Sequence, residues 1–147
     1  MLSKQDYLGL LIDTALRKVK HIIALRARPH RISAQQFWVL IELAGDSGLH
    51  LTELAERHGM QMANASRVVG GLIERKLVKV QRDPADRRKG HLELTASGTA
   101  LARKLQREAE LLSGAAESGM NAEEAARLRA LLRRMIENLD QLGGVRS

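Results

Sequence analysis

The sequence predicts a mainly α fold with a small β-hairpin wing: a winged helix-turn-helix carrying N- and C-terminal dimerisation helices. Three observations lead there. Residues 51–98 run as a short amphipathic segment, a Gly turn, a second amphipathic segment opening on small polar residues, and two β-rich runs. The runs flank a loop dense in Asp and Arg, Asp83-Pro84-Ala85-Asp86-Arg87-Arg88-Lys89-Gly90, bracketed by Pro and Gly as a hairpin tip requires. Apolar residues on either side of this stretch recur at helical spacing over lengths unsuited to solvent.

The first helix is expected from about Asp6 to Ala27, because Pro29 disfavours helix at Arg28. Leu8, Leu11, Ile12, Ala15, Leu16, Val19, Ile22 and Ile23 form its apolar face. Ser33 with Gln36 is a capping box opening a second helix through Ala44, and Gly45-Asp46-Ser47-Gly48 turns the chain. Thr52 is placed as the cap of the third helix, with Glu53 and Glu56 near its positive end, and Gly59 closes it. The fourth helix spans about Met62 to Arg75. Its stripe of Met62, Ala65, Val68, Val69 and Leu72 falls within an arc of about 120° and faces the core. Ala63, Asn64, Arg67, Gly70, Gly71 and Glu74 take the other side. Strands follow at Leu77–Arg82 and His91–Leu94. Thr95 caps a long helix to about Glu117, and an Asn121/Glu124 capping box opens a last helix to about Leu142. There Leu128, Leu132, Met135, Leu139 and Leu142 make a heptad-like seam.

Length and composition bound the function. At 147 residues the chain suits one domain with a proper core. Tyr7, Phe37 and Trp38 are its three aromatics, too few for the base-stacking platforms of single-strand readers. Residues 61–91 carry eight basic and three acidic side chains, a net +5. Residues 17–31 hold six bases and no acid, whereas residues 32–60 stand at −3. This clustering fits a polyanion binder. There is no cysteine, which excludes disulfides, Cys-based zinc sites and thiol sensing. The five histidines show no metal-ligand spacing, and no phosphate loop or nucleophile–base pair occurs, so neither metal, cofactor nor enzymatic activity is expected. With no signal-peptide-like or membrane-spanning run, the expected location is cytoplasmic, away from membranes.

The motifs Leu51-Thr52-x-Leu54-Ala55, Ser66-Arg67-Val68-Val69-x-x-Leu72, Leu77-Val78, Asp83-Pro84-x-Asp86-Arg87-Arg88 and Leu94-Thr95-x-x-Gly98 stand in the order and spacing of the MarR family of bacterial winged-helix regulators, which the chain resembles over essentially its whole length. The resemblance implies a single domain over residues 1–147, with a winged helix-turn-helix at 32–98 and dimerisation helices at 1–31 and 99–147. It implies a homodimer, most simply a repressor, on a pseudo-palindromic duplex DNA operator. It also implies a pocket for a small anionic or aromatic effector, and no obligatory cofactor. The sequence departs from the family at Lys76, where Gly is usual, at Gly70-Gly71, where polar residues are common, and at Val80, which replaces a basic residue.

The candidate DNA-binding residues are Asn64, Ser66, Arg67, Arg87, Arg88 and Lys89, with Asp86 orienting the wing. Asn suits adenine; Arg suits guanine or a phosphate. At the tip, Asp86 stands two residues before Arg88 and can hold its guanidinium for a narrow minor groove, with Arg87 and Lys89 on phosphates. A solvated turn and a solvated helix face are the plain alternatives. For Ser66, phosphate contact and simple exposure are both open. Gly70 and Gly71 suit close approach by DNA or another backbone, or reflect no constraint. The basic run Arg17–Arg31 reads first as charge at the dimer edge, second as an anion site. At the level of function, the alternative is a winged-helix protein-interaction module without sequence-specific DNA binding.

Overall fold

The computed structural model describes residues 3, 6–86 and 90–144. Arg87, Arg88 and Lys89 lie outside the described residues. The elements are α1 (Leu8–Ala27), a short 3-10 turn (Arg28–His30), α2 (Ala34–Gly45), β1 (Leu49–His50), α3 (Leu51–Arg57), α4 (Met62–Glu74), β2 (Val78–Arg82), β3 (Gly90–Leu94), α5 (Ala96–Ala116) and α6 (Ala122–Leu142). The chain divides into two compact units, Met1–Ala109 and Glu110–Ser147. Among the described residues, no helix is long and apolar enough to cross a membrane.

The first unit is built on an aliphatic core, as the shortage of aromatics demands. Ile23, Phe37, Val39, Leu40, Leu54, Leu72 and Leu105 are fully buried, with Ala65, Val68, Val69, Val78 and Leu92 nearly so. Phe37 is the aromatic centre, and Trp38 packs edge-on against it with ring centroids 5.3 Å apart. Local chemistry sets most helix ends. Ser33 Oγ accepts the Gln36 N–H at 3.1 Å, and Gln36 Oε1 accepts the Ser33 N–H at 3.0 Å. At Gly59 (φ 59°) the N–H bonds the Glu56 carbonyl and the Met60 N–H bonds Ala55, the double bond of a left-handed helix stop.

The sheet corrects the expectation of two strands. Three antiparallel strands run in the order β1-β3-β2, with Leu49 opposite Leu92 and His50 opposite His91. The cap of α3 moves with it: His50, not Thr52, is the N-cap residue, and its N–H donates to Glu53 Oε2 at 2.8 Å. Its ring is occupied elsewhere. Nδ1 lies 2.9 Å from the Gly90 carbonyl, which can only accept, so Nδ1 carries the proton.

Two contacts lock the wing to the helices. The Thr95 hydroxyl accepts the Gly98 N–H at 3.0 Å and reaches back to the Lys76 carbonyl at 2.7 Å. α5 starts so close to the base of β2 that a β-carbon on Gly98 would lie 1.9 Å from the Leu77 carbonyl oxygen. The other end of this joint is Lys76, at φ 56°. Its N–H bonds Ile73 and the Leu77 N–H bonds Leu72, each at 2.9 Å, so Lys76 sits where helix stops usually place glycine. Lys76→Gly should therefore raise stability, by about 1 kcal/mol since left-handed backbone costs an L-residue that much. A urea midpoint at or below that of the parent would contradict this.

In the second unit, α6 opens on the expected capping box, with Asn121 Oδ1 accepting the Glu124 N–H and Glu124 Oε2 accepting the Asn121 N–H, both at 2.9 Å. The Arg129 guanidinium clasps both carboxylate oxygens of Glu117. Leu128, Leu131, Leu132, Ile136, Leu139 and Leu142 are exposed on α6.

Candidate nucleic-acid interface

The helix-turn-helix is α3, the Gly59 stop and α4. Apolar burial seats α4 on the core through Ala65, Val68, Val69 and Leu72. Met62, the first residue of α4, departs from the expected stripe and is exposed. α3 is held from outside by Arg57, whose guanidinium donates to Glu42 at 2.7 Å and Asp46 at 2.9 Å. The Glu42 hydrogen bond, then that to Asp46, pushes the Arg57 pKa still higher. This bracket ties α3 to the C-terminal end of α2 and was not foreseen. Its three residues are spread over two helices, with no local spacing to give it away.

On the outer side of α4, Arg67 Nη2 donates to Asn64 Oδ1 at 2.7 Å. The sequence spacing of three is thus a physical pair. The bond uses the amide oxygen and one guanidinium nitrogen, leaving the amide NH₂ and the other guanidinium N–H groups outside it, with Arg67 exposed and Asn64 half-buried. Together they present donors, the complement of phosphate oxygens or the guanine edge. Ser66 is exposed on the same helix. The two glycines part company. Gly70 faces open space, whereas Gly71, assigned to the outer side, points at α2, where a β-carbon would meet Gln36 Nε2 at 2.8 Å.

The wing is the β2–β3 hairpin, in register from Val78 opposite Leu94 to Arg82 opposite Gly90. Lys79 and Glu93 face each other across it at 3.3 Å, and His91 Nε2 lies 3.2 Å from the other Glu93 oxygen. The Lys79 ammonium first, then His91, holds the Glu93 carboxyl below the usual carboxylate range. The shift favours the charged carboxylate, and the tie is lost as the pH falls through the lowered pKa. Past Arg82, Asp83 Oδ1 accepts the Ala85 N–H at 2.9 Å and turns the chain towards the tip. Asp86 is half-buried at the last described position before the three basic tip residues. A cavity of about 470 Å³ opens behind the wing, lined by Leu43, Ser47, Glu93, Thr99, Arg103 and Gln106 among others. Among the described residues, no cluster of three or more His, Cys, Asp or Glu could hold a metal ion.

The fold is matched widely among solved structures. The family model of the MarR family matches residues 32–89. The HTH-type transcriptional repressor NicR of Pseudomonas putida is 30% identical over 138 residues, 94% of this chain and 87% of that protein. The structure of Bordetella bronchiseptica BpsR, described for the regulation of its DNA binding by 6-hydroxynicotinic acid, is 29% identical with a TM-score of 0.79, covering 92% of this chain and 96% of that one. A MarR transcriptional regulator of Methanosarcina mazei shares the fold at 23% identity, with a TM-score of 0.85 and coverage of 93% and 99%. The match to NicR extends over the flanking helices as well as the helix-turn-helix: the chain belongs to the MarR family of transcriptional regulators.

Proposed function

We propose that this DNA-binding regulator works as a cytoplasmic homodimeric repressor, reading a pseudo-palindromic operator and releasing it when a small anionic effector binds. The Asn64–Arg67 pair on the outer side of a firmly seated α4 carries the reading. In this arrangement α4 enters the major groove with Arg67 on a base edge or phosphate, and Ser66 flanks it on the backbone. The tip residues Arg87 and Lys89 contact phosphates, and Arg88, oriented by Asp86, enters the minor groove.

Dimerisation is supported by apolar side chains that a lone chain leaves in water. Leu8, Leu10 and Leu11 at the start of α1 are 58%, 55% and 53% exposed, and the α6 row adds Leu139 at 54% and Leu142 at 84%. Such patches mark association surfaces. Two α4 helices on one DNA face need a spacing of about 34 Å, so whatever alters the dimer's geometry alters affinity.

The effector is supported by the cavity beside β3, which places Arg103, Thr99, Ser47 and Gln106, with the Lys79-paired Glu93 carboxylate, around a space of small-molecule size. Arg103 is the lining group that would pair with a small carboxylate, the class to which the 6-hydroxynicotinic acid named for BpsR belongs. The test is a gel shift against the duplex upstream of its own coding sequence, with and without 6-hydroxynicotinate, alongside light scattering. Expected are a retarded band lost on adding the acid and a mass of two chains. No retardation at low salt would reject DNA reading, a stable monomer at micromolar concentration would reject the dimer, and a band insensitive to the acid would reject this effector.

A further inference from the structure

One side chain joins α2 to the recognition helix. Gln36 lies in the first turn of α2, where its Oε1 completes the Ser33 cap at 3.0 Å. Its other amide atom, Nε2, donates to the Val68 carbonyl of α4 at 3.2 Å, 32 residues away. A β-carbon on Gly71 would sit 2.8 Å from that same nitrogen, while neighbouring Gly70 meets nothing; the amide end could swing away, but only by giving up the bonds it makes to Ser33 and Val68. Residue 71 therefore leaves the gap through which the amide reaches the α4 backbone.

What this adds to the packing of α4 is direction. The buried stripe of Ala65, Val68, Val69 and Leu72 holds the helix by apolar burial, which is non-directional and tolerates small slides and rotations. A hydrogen bond to a main-chain carbonyl weakens steeply with angle and so resists both motions. The bonded carbonyl belongs to the residue next to Arg67, so rotation of α4 there carries the Asn64–Arg67 pair with it. We infer that Gln36 and Gly71 act as a positioning couple: without touching DNA, they set the orientation of α4 and so the protein's discrimination between its operator and other duplexes. The inference rests on the DNA-reading role of α4.

Gln36→Glu separates the two jobs of the side chain. A glutamate still caps Ser33 but presents an anion instead of a donor to the Val68 carbonyl. Binding is measured to the duplex most strongly retained from a randomised pool and to an unrelated duplex of equal length, each across a salt series. The expected result is a loss of about tenfold on the selected duplex, the scale of one lost hydrogen bond. The unrelated duplex should be bound as before and with the same salt slope, because phosphate contacts are untouched. Gly71→Ala should lower the ratio similarly, yet add nothing in a Gln36→Ala background, where its clashing partner is gone. An unchanged ratio with a lowered melting temperature, or equal losses on both duplexes, would make Gln36 a packing residue only and overturn the inference. Additive effects of the two substitutions would overturn the couple. Should the parent protein bind no duplex at all, the DNA-reading role falls instead, and the melting temperatures of the two single variants and the double variant still decide whether residues 36 and 71 are coupled.

Discussion

Gly98→Ala is expected to destabilise the protein by about 3 kcal/mol, at the upper end of overpacking costs. For a chain of this length that is a fall of about 10 °C in melting temperature. The added methyl would lie 1.9 Å from the Leu77 oxygen, 2.9 Å from its carbonyl carbon and 3.4 Å from its Cα, so it meets rigid backbone rather than a yielding side chain. That carbonyl cannot swing aside cheaply, because it accepts the Thr95 N–H at 3.0 Å. Either α5 retreats from the base of β2, breaking the Thr95 bonds, or the strand shifts and the wing with it. Operator binding should weaken alongside stability. Gly114→Ala is the control: it lies on the same helix with nothing within 4 Å of the added carbon, so it should be neutral or stabilise by up to about 1 kcal/mol. A Gly98→Ala protein melting within a degree or two of the parent would show that α5 is not anchored there.

Arg67→Ala is expected to cost about 1–3 kcal/mol of operator affinity and to relax preference at one major-groove position. Folding should be nearly unaffected, because the side chain is exposed and its bond is to Asn64 on the same helix. Asn64→Ala should cost less, since the arginine remains but is no longer steered. Arg88→Ala should shrink the log-affinity versus log-salt slope by about one unit if that arginine meets phosphate. If it enters an A·T-narrowed groove, the loss should instead be larger on the native flank than on a G·C-substituted one. Asp86→Ala should give a smaller loss than Arg88→Ala. Affinities across a salt series decide. Parent-like behaviour in both arginine variants would favour a winged helix that binds protein instead of DNA.

Sequence by itself was sufficient for everything set by chemistry within a few residues. The Ser33/Gln36 and Asn121/Glu124 capping boxes, the stop at Gly59, the end of α1 before Pro29 and, Met62 excepted, the buried stripe of α4 formed as read, because each depends on spacings of three or four residues along one helix. The Asn64–Arg67 pair was legible for the same reason, and the hairpin was announced by its own turn residues. Partners distant in sequence were another matter. The strand Leu49–His50 is too short for any periodicity and exists only because Leu92 and His91 lie opposite it, which is why Thr52 looked like the cap that His50 provides. The bracket of Arg57 on Glu42 and Asp46 likewise needed two helices brought together. Lys76 could be seen to stand where glycine is usual, yet only the backbone showed it holding a left-handed turn. Gly98 was visible as a motif letter, but its necessity came from the Leu77 carbonyl. Gly71 and Gly70 were indistinguishable as letters and differ entirely in space, since one faces Gln36 and the other nothing. A residue's own chemistry and near neighbours are written in the chain, whereas what stands opposite it is decided only when the core closes.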